Sequence, residues 1–424
     1  MTVTLKQPAY ARTVAAPTSK SAAHRALIAA AFADRETTLL LRTSCEDIDA
    51  TARCLTALGA AVRPVEGGLH VIPVSPDRVQ KNAVLDCGES GSTLRFLLPV
   101  CGAIGADATF LRRGRLPERP LEPLATALRQ HGMTLTENGA ELVTRGRIGA
   151  GDYAIAANVS SQYISGLLFA LSLLDAPSTL TLTGKVESAP YIDMTVAALS
   201  DFGATPQKAS GCAYRVPGRE AAPLTSPGIL TVEGDFSGAA FPLAMGAIGP
   251  HPVTVTGLAL PSGQGDSEIL GLLERFGAHV TVDGDSVTVS PAPLHGLEID
   301  ARQIPDLVPI LAVVATAAEG TTRITGAERL RLKESDRIAS TTAFLRTVGG
   351  DIAETPDGLS ICGGKKLHGG TVNVCGDHRI AMSAAAAALL TNEAVVIPGS
   401  ECTQKSYPTF FEEVILSSQE RSNP

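Results

Sequence analysis

Basic and hydroxyl side chains stand together where apolar segments of the sequence begin, a combination that favours binding of an anion. The segment PTSKSAAHRA places Lys20, Ser21 and Arg25 at the start of a predicted helix. The free N–H groups and the dipole of a helix N-terminus attract negative charge. A serine cap with solvated cations is the alternative, but it does not account for two cations beside an otherwise apolar face. We therefore predict an anion site here.

The stretch DCGESGSTLRF, residues 86–96, has the glycines and hydroxyls of a phosphate-binding loop. It lacks the GxxxxGK[ST] pattern of a nucleotide P-loop, so a nucleotide is not the predicted ligand. We expect Gly91 to carry the function of this helix start and Ser92 to cap the helix. Glu89 is predicted to act as a counter-ion to Arg119 or Lys20.

Two further polar segments lie in the N-terminal half. The turn VSSQYIS contains Ser160, Ser161 and Gln162, and a plain serine-rich cap explains it as well as a binding role does. The loop LRRGRLPERP is most simply a solvated charged loop. Its four arginines are Arg112, Arg113, Arg115 and Arg119.

The C-terminal half repeats the combination of cations and carboxylates. Asp306 and Asp377 each open a helix that is otherwise apolar. A carboxylate there is often an N-cap, but beside Lys and Arg it can also orient an ammonium group or take a proton. Helix-surface ion pairs would account for much of the motif RLRLKESDR. The other charged residues of these motifs are Arg329, Arg331, Lys333, Glu334, Asp336, Arg337, His378, Arg379 and Lys405.

Composition excludes several classes of protein. The chain has 424 residues, 44% of them hydrophobic, and a formal net charge of -8, which argues against a nucleic-acid partner. No window of about 20 residues resembles a membrane span, and the N-terminus lacks a signal-peptide pattern, so we expect a cytoplasmic protein with no membrane partner. The eight cysteines form no CxxC pair and no Cys/His metal spacing. We predict no metal site and expect most cysteines to be reduced packing residues.

An internal repeat organises the chain. A helical stretch, a glycine and two strands joined by a turn recur about every 72 residues, and LTALGAAVRPVEGGLHVIP is the first copy. A glycine after a helix supplies its left-handed C-cap, and alternation across an NG, DG or GG turn predicts a β-hairpin. A more uniformly apolar segment precedes each copy and predicts a buried helix. The junction glycines are Gly59, Gly132, Gly203, Gly277 and Gly349.

The repeat predicts the domain organisation. Six buried and six amphipathic helices are expected, in units of strand, buried helix, strand, outer helix and hairpin. A sixth hairpin would fall beyond the chain, so the N-terminal strand VTLKQ is expected to complete the last unit. Proline-bearing segments mark two domain crossings. We predict a domain of repeats one to three, residues 16–225, and a discontinuous domain of residues 1–15 plus 226–424, with the ligand site in the cleft between them.

Ten motifs in register resemble those of the 5-enolpyruvylshikimate-3-phosphate synthase family, over essentially the whole chain. They are PTSKSxxxRA, SGSTxR, PERPLxPL, VSSQYxSGLLxA, SAPYIDMT, VEGDFS, QGD, RLKESDR, GDHRxAM and CTxKSYP. The resemblance implies the enolpyruvyl transferase fold, a two-domain inside-out α/β barrel of the α+β type, in which each domain has three βαβαββ repeats. It also implies a monomer that needs no cofactor.

The resemblance assigns residues to two small-molecule substrates. Guanidinium groups suit phosphoenolpyruvate, because it is multiply anionic and they bind its oxygens in pairs. The residues implied for phosphoenolpyruvate are Lys20, Gly91, Arg119, Gln162, Arg337, Arg379 and Lys405. Those implied for shikimate 3-phosphate are Lys20, Ser21, Arg25, Ser160, Ser161, Gln162, Ser188, Tyr191, Asp306 and Lys333.

The implied reaction, a step of the shikimate pathway to chorismate and the aromatic amino acids, transfers a carboxyvinyl group. C3 of phosphoenolpyruvate is protonated while the 5-hydroxyl attacks C2, and the tetrahedral ketal then expels phosphate. Asp306 is our choice for removing the hydroxyl proton. Glu334 and Lys333 are the candidate donors to C3, with Lys20 in reserve. Aligning two substrates lowers a barrier by about 7 to 11 kcal/mol, so domain closure is expected in catalysis.

Several positions differ from the commonest family pattern. Glu89 and Arg329 stand where relatives often have Asn, Ser92 where they have Thr, and Phe96 where they have Pro. Arg329 adds a positive charge where an amide would contact the shikimate. We expect glyphosate to inhibit, because Gly91 leaves the pocket floor without a side chain.

Two alternatives to this activity remain. UDP-N-acetylglucosamine enolpyruvyl transferase shares the fold, but it carries a reactive cysteine in the loop matching LRRGRLPERP, where this chain has none. A non-catalytic phosphometabolite-binding protein is the other alternative, although such a protein would not need Asp306, Glu334 and the arginines.

Overall fold

The computed structural model describes residues 1–209 and 211–415. The chain divides into two units by the contacts within each. We call Lys20–Val232 the central unit, and Met1–Ser19 with the chain from Glu233 onward the terminal unit.

Helices and strands occur along the whole described chain. The α-helices are α1 (Lys20–Ala31), α2 (Glu46–Leu58), α3 (Gly91–Ile104), α4 (Leu124–Gln130), α5 (Ser161–Ser172), α6 (Ala189–Asp201), α7 (Phe236–Ile248), α8 (Ile269–Phe276), α9 (Val308–Ala317), α10 (Arg337–Thr347) and α11 (His378–Ala387). The strands are β1 (Thr2–Leu5), β2 (Thr13–Ala15), β3 (Thr37–Leu40), β4 (Ala61–Val65), β5 (Gly68–Ile72), β6 (Ala83–Asp86), β7 (Ala108–Leu111), β8 (Met133–Asn138), β9 (Glu141–Gly146), β10 (Asp152–Ala156), β11 (Ser178–Thr183), β12 (Gln207–Ala209), β13 (Ala213–Val216), β14 (Ile229–Thr231), β15 (Val253–Thr256), β16 (His279–Asp283), β17 (Ser286–Ser290), β18 (Glu298–Asp300), β19 (Thr321–Thr325), β20 (Asp351–Thr355), β21 (Gly358–Cys362), β22 (Gly370–Thr371) and β23 (Val395–Pro398).

The central unit repeats one pattern three times. In its second repeat β6, α3, β7, α4 and the hairpin β8–β9 follow one another, and the sheet order is β6-β7-β9-β8. β6 and β7 are parallel, and α3 supplies the crossover connection that parallel strands require, whereas β7–β9 and β8–β9 are antiparallel. The other two sheets have the equivalent orders β10-β11-β13-β12 and β14-β3-β5-β4.

The terminal unit uses the same pattern but ends differently. Two of its sheets, β2-β15-β17-β16 and β18-β19-β21-β20, match those of the central unit. The last is the three-stranded sheet β1-β23-β22, in which β1, from the N-terminal segment VTLKQ, pairs with β23 in place of a hairpin. In place of a sixth outer α-helix the described chain has the 3-10 segment Ser400–Lys405 and a π-helical turn, Phe410–Val414. None of the six sheets formed by the described residues closes into a barrel.

Each unit includes one short strand, β2 or β14, that lies just before the chain passes into the other unit. β2 pairs in parallel with β15 of the terminal unit, and β14 pairs in parallel with β3 of the central unit. The central unit therefore spans residues 20–232 rather than the predicted 16–225. The second boundary differs more, because β14 follows the proline-bearing segment and still belongs to the central sheet.

The six helices predicted to be buried are α1, α3, α5, α7, α9 and α11, and their apolar residues form one core in each unit. In α9 every residue from Val308 to Thr316 is buried. The outer helix α8 instead buries one face, made of Ile269, Leu272, Leu273 and Phe276, which is the spacing of an amphipathic helix. Polar residues at the start of a buried helix are therefore held against a rigid core.

The junction glycines end the outer helices in left-handed conformations. All five have φ between 85° and 118°. At Gly59 the N–H donates to the carbonyls of Leu55 and Thr56, and a Cβ there would lie 2.5 Å from the carbonyl oxygen of Arg78. Glycine is required at Gly59 for both conformation and space. The order of helix, glycine and hairpin predicted from the sequence is confirmed.

All eight cysteines are free thiols, but they do not share one environment. Cys45, Cys54, Cys87 and Cys101 are buried as packing residues, and Cys402 is half-buried. The other three, Cys212, Cys362 and Cys375, are exposed. Among the residues described, no helix combines the length and apolar character needed to cross a membrane.

Candidate active site

Lys20 is the first residue of α1, and an acidic partner holds it there. Its Nζ lies 2.8 Å from Oδ2 of Asp47, in the first turn of α2. Only 15% of the Lys20 side chain and 7% of the Asp47 side chain are exposed. Asp47 was not among the predicted site residues, because the acidic run EDID is typical of any helix first turn.

Arg25 is buried, and it connects α1 to α6. Its guanidinium donates to the carbonyl oxygens of Ser21 (2.6 Å) and Tyr191 (2.7 Å) and to Oγ1 of Thr195 (2.8 Å). These partners are neutral, and burial lowers the pKa of Arg25 to about 10. Arg25 is still charged at neutral pH, so it brings a positive charge together with Ser21 and Tyr191.

Gly91 opens α3 beside two guanidinium groups. A Cβ on Gly91 would lie 2.9 Å from Nη1 of Arg119 and 3.1 Å from Nη1 of Arg95. Oε1 of Gln162 accepts a hydrogen bond from Nη1 of Arg95 at 2.7 Å. Gly91, Arg119 and Gln162, which were predicted together, therefore meet at one place. Arg95 was missed, although the interval of four residues from Gly91 places it on the same face of the helix.

The cap of α3 differs from the prediction by two residues. Ser90 is the N-cap, and its Oγ accepts a hydrogen bond from the backbone N–H of Thr93 at 3.3 Å. Ser92 lies inside the first turn instead, where its Oγ accepts a hydrogen bond from Nε2 of Gln162 at 2.9 Å. Glu89 is exposed and its carboxylate lies against Gly114; its role as a counter-ion stays a prediction.

Three of the four serines predicted for the site precede or begin α5 and α6, and the fourth, Ser21, is the second residue of α1. Ser160 caps α5 through a 3.3 Å hydrogen bond from the N–H of Gln162, and its binding role stays a prediction. Ser161 is the first residue of α5 and is buried. Ser188 is buried and has φ of 54°, a conformation that serine adopts at a cost. Its carbonyl accepts a hydrogen bond from the N–H of Tyr191 at 3.1 Å. A non-glycine residue held at positive φ before a helix start is typical of a ligand site.

The structure separates the four arginines of the loop before α4. Three form ion pairs: Arg112 with Glu137 (2.9 Å), Arg113 with Asp86 (2.7 Å) and Arg115 with Glu118 (3.5 Å). Arg113 and Arg115 are exposed, as a solvated loop predicts, whereas Arg112 is buried. Arg119 is also buried and faces Gly91.

Arg337 is the centre of the polar cluster in the terminal unit, and three carboxylates surround it. Its Nε lies 2.8 Å from Oδ2 of Asp377, its Nη1 2.7 Å from Oδ1 of Asp306, and its Nη2 2.8 Å from Oε2 of Glu334. Burial alone would lower the pKa of Arg337, but the charges of Asp377, Glu334 and Asp306 outweigh burial and raise that pKa.

Asp306 lies in the 3-10 turn Pro305–Leu307, directly before α9, and three cations face it. In addition to Arg337, Nη2 of Arg379 lies 3.1 Å from Oδ2, and Nζ of Lys333 lies 3.8 Å from Oδ1. Burial would raise the pKa of Asp306, but Arg379, Lys333 and Arg337 together hold it well below its usual range. Asp306 is therefore a carboxylate at neutral pH.

Asp377 and Asp266 support this cluster through further hydrogen bonds. Asp377 caps α11 through the N–H of Arg379 at 3.0 Å and accepts from Oγ of Ser335 at 3.0 Å. Ser237 Oγ donates to Asp266, and the Ser237 carbonyl accepts from Nη1 of Arg379 at 3.4 Å. Burial, and then the charge of Asp306, raise the pKa of Asp266 to about 7. The motif QGD contains Asp266, but its sequence context alone indicated no role.

The remaining charged residues of the C-terminal motifs lie in different surroundings. Lys405 is buried at the end of the segment Ser400–Lys405, which packs against α11. Nη1 of Arg331 lies 3.0 Å from both Asp336 and Glu354, so a surface ion pair explains Arg331. Nη2 of Arg329 donates to the carbonyl of Arg302 at 2.9 Å. Within residues 1–209 and 211–415, no group of His, Cys, Asp and Glu could hold a metal ion.

The chain resembles known proteins over nearly its whole length. A model of the EPSP synthase family, 3-phosphoshikimate 1-carboxyvinyltransferase, matches residues 6–414. A 3-phosphoshikimate 1-carboxyvinyltransferase of Clostridium kluyveri is 39% identical over 399 residues, which cover 94% of this chain and 92% of the relative. The structure of an EPSP synthase from Acinetobacter baumannii has a TM-score of 0.78 and 27% identity, and covers 97% of each chain. The enolpyruvyl transferase NikO from Streptomyces tendae has a TM-score of 0.78 at 18% identity over 97% of this chain and 96% of its own, which is a likeness of fold alone.

These findings confirm the predicted fold class and the predicted enzyme activity. They do not favour the UDP-N-acetylglucosamine enolpyruvyl transferase alternative. The family match spans all ten motifs from which the resemblance was first seen. The chain belongs to the EPSP synthase family, the 3-phosphoshikimate 1-carboxyvinyltransferases.

Proposed function

We propose that the polar residues described above bind and activate the two substrates of this reaction, shikimate 3-phosphate and phosphoenolpyruvate. The 5-hydroxyl oxygen of the shikimate bonds to C2 of phosphoenolpyruvate as C3 takes a proton, and loss of phosphate and of a C3 proton restores the vinyl group. One observation carries the proposal: Lys333, Arg337 and Arg379 surround the carboxylate of Asp306. That cluster combines a base with the cations that a multiply anionic substrate requires.

We assign phosphoenolpyruvate to the residues that present guanidinium and ammonium groups. In the central unit, Gly91 leaves space beside the guanidinium of Arg119, and the first N–H groups of α3 add hydrogen-bond donors. In the terminal unit, four of the five N–H groups of Arg337 are bonded to carboxylates, so one remains for the substrate. The assigned residues are Lys20, Gly91, Arg119, Gln162, Arg337, Arg379 and Lys405.

We assign shikimate 3-phosphate to the serines and to the residues around Arg25. Hydroxyl groups at a helix N-terminus suit a phosphate, which favours Ser160 and Ser161 at the start of α5. Arg25 is held by neutral partners, so its charge is available for a polar or anionic group of the substrate. The complete set is Lys20, Ser21, Arg25, Ser160, Ser161, Gln162, Ser188, Tyr191, Asp306 and Lys333.

Asp306 is the proposed base for the 5-hydroxyl proton. In the structure its pKa is held low by Arg379, Lys333 and Arg337, which makes the carboxylate a weak base. An anionic substrate bound to Arg337 and Arg379 offsets part of their charge, so the pKa of Asp306 rises toward that of a useful base. Binding of phosphoenolpyruvate would thus make Asp306 a stronger base for the 5-hydroxyl proton of shikimate 3-phosphate.

Three residues are candidates for proton donation to C3. Glu334 lies 2.8 Å from Nη2 of Arg337, and this ion pair favours the carboxylate, which must take up a proton before it can donate one. Lys333, 3.8 Å from Asp306, and Lys20, paired with Asp47, are ammonium groups that can donate directly. We therefore place Lys333 ahead of Glu334, and keep Lys20 as the third candidate.

Release of phosphate from shikimate 3-phosphate and phosphoenolpyruvate tests the proposal. Asp306→Asn should bind shikimate 3-phosphate and turn over at least about 100-fold more slowly, which is the lower range for loss of a general base. Unfolding temperature is measured for both proteins, so that loss of activity is separated from loss of fold. An unchanged rate in Asp306→Asn would remove Asp306 as the base.

A pair of variants in one loop tests the phosphoenolpyruvate assignment. Arg119→Ala should raise KM for phosphoenolpyruvate, whereas Arg113→Ala, whose side chain is 67% exposed and paired with Asp86, should not. Equal values of KM in the two variants would contradict the assignment. We further expect inhibition by glyphosate and a monomer in sedimentation. UDP-N-acetylglucosamine should not replace shikimate 3-phosphate.

A further inference from the structure

A buried chain of hydrogen bonds runs through the core of the central unit from α1 to the start of α3. Nδ1 of His24 lies 2.7 Å from Oγ1 of Thr51, and Oγ1 of Thr51 lies 2.7 Å from Oγ1 of Thr93. Oγ1 of Thr93 donates to Oγ of Ser90 at 2.8 Å. All four side chains have no exposed surface. None of them belongs to the substrate-binding residues assigned above.

The direction of every hydrogen bond in this chain follows from counting hydrogens. Each hydroxyl has one hydrogen, and that of Thr93 is used toward Ser90. Thr51 must therefore donate to Thr93, which leaves Thr51 without a hydrogen for His24. Nδ1 of His24 must then be the donor to Thr51. The chain runs one way, from the imidazole to the cap of α3.

The other ring nitrogen of His24 gives an independent indication of the same tautomer. Nε2 of His24 is buried and has no hydrogen-bond partner among the described residues. A buried N–H without an acceptor is rarer than a buried acceptor without a donor. The Nδ1–H tautomer leaves only an unpaired lone pair at Nε2. His24 is therefore the Nδ1–H tautomer both by the direction of its hydrogen bond to Thr51 and by the unpaired state of Nε2.

Burial keeps the imidazole neutral. It lowers the pKa of His24 to about 3, the nearby charge of Asp47 opposes this change, and those of Lys20 and Arg25 add to it. The ring of Phe96 stands edge-on to the imidazole, with 6.3 Å between the ring centres. Because the imidazole of His24 is neutral at neutral pH, it carries a single hydrogen, which can stay on Nδ1.

We propose that His24 is a positioning residue for the phosphoenolpyruvate groups of the central unit, acting through Thr51, Thr93 and Ser90. The chain ends at the N-cap of α3, one residue before Gly91, whose Cα faces the guanidinium of Arg119. It joins α1, α2 and α3, so it sets the start of α3 relative to the helix that begins with Lys20. This inference rests on the proposed function, in which Gly91, Arg119 and Lys20 bind phosphoenolpyruvate.

Matched variants separate the hydrogen-bond chain from packing. His24→Leu and Thr51→Val remove a donor or a link at similar volume, whereas His24→Asn and Thr51→Ser retain an N–H or a hydroxyl. The first pair should raise KM for phosphoenolpyruvate about fivefold or more, the effect of losing about one net hydrogen bond. KM for shikimate 3-phosphate and kcat should stay within about twofold, and the second pair should lie near the wild type. The double variant His24→Leu/Thr51→Val should be no worse than either single variant, because both interrupt one chain.

Imidazole ¹⁵N spectra give a readout that does not depend on catalysis. The chain has eight histidines, and the signals lost in His24→Asn identify those of His24. We expect the neutral Nδ1–H pattern without titration between about pH 5 and 9. An Nε2–H pattern, or an equal rise of both KM values in His24→Leu and Thr51→Val, would overturn the inference. Arg119→Ala is measured alongside: an unchanged KM for phosphoenolpyruvate there refutes the proposed function, while the spectra still report on the chain.

Discussion

Replacing Gly91 with alanine tests whether the space beside Arg119 sets phosphoenolpyruvate binding. The new Cβ would lie 2.9 Å from Nη1 and 3.1 Å from Cζ of Arg119, and 3.1 Å from Nη1 of Arg95. Unstrained contacts begin at about 3.5 Å, so both guanidinium groups must withdraw by roughly half an ångström. They are the ends of flexible side chains, and alanine favours a helix over glycine by about 1 kcal/mol. We therefore expect the free energy of unfolding to stay within about 1 kcal/mol of the wild type.

The effect on the ligand should be larger than the effect on the fold. A hydrogen bond to a charged group contributes about 1.5 to 3 kcal/mol, so displacing one should raise KM for phosphoenolpyruvate roughly 10- to 100-fold. The inhibition constant for glyphosate should rise as well, whereas KM for shikimate 3-phosphate should change little. Steady-state phosphate release measures all three constants when phosphoenolpyruvate is varied with and without glyphosate and shikimate 3-phosphate is varied separately.

A second glycine gives the matched control. Gly271 lies inside α8, and the nearest atom to a Cβ there is Oε1 of Glu268 at 3.8 Å, an ordinary contact. Gly271→Ala should leave every kinetic constant unchanged. If Gly91→Ala also leaves KM for phosphoenolpyruvate and the glyphosate inhibition constant unchanged, then Gly91 does not shape the pocket and the reasoning fails.

Two further predictions concern buried charges of the terminal unit. Asp377→Ala leaves the guanidinium of Arg337 buried without two of its hydrogen bonds and should lower the free energy of unfolding by roughly 3 to 5 kcal/mol in urea; a loss below about 1 kcal/mol would show that Asp306 and Glu334 suffice for Arg337. Asp266 has its pKa raised from 3.8 to about 7 in the folded protein, so its protonated form contributes stability that is fully present below about pH 4 and is lost as pH rises through about 7. Since one pKa unit corresponds to about 1.4 kcal/mol, the stability of Asp266→Asn relative to the wild type should rise by roughly 4 kcal/mol from pH 4 to pH 8. A difference in unfolding free energy that does not vary with pH would mean that Asp266 does not titrate in this range.

Much of the fold could be predicted because its signals are local. A glycine with positive φ after an outer helix, as at Gly59, and the hairpin that follows it depend on a few neighbouring residues. The partner strands of β2 and β14 could not be predicted. Each is a strand of three residues in a parallel pair, and its partner lies more than a hundred residues away in the sequence.

The candidate site shows the same division. The residue types and the helix starts that carry them, such as Lys20 at the start of α1 and Asp377 before α11, could be predicted from capping and charge. Composition and spacing alone did not distinguish the four arginines of LRRGRLPERP, because which of them faces Gly91 depends on the path of the loop; only the family resemblance selected Arg119. The sequence also placed the cap at Ser92 rather than Ser90, since both serines satisfy the composition rule and only the backbone conformation distinguishes them.

The amino-acid sequence therefore specifies the repeat, the buried helices and the inventory of charged and hydroxyl groups, since each depends on short-range periodicity or capping. Tertiary packing determines which of these groups contact one another. Three carboxylates converge on Arg337, three cations hold Asp306 ionised, and His24 reaches Ser90 through two threonines of other elements. Such contacts join residues far apart in sequence, and their strength depends on burial, which removes the competing water. The chemistry of each group is encoded locally, but its charge state and its orientation arise only when the helices of each unit pack together.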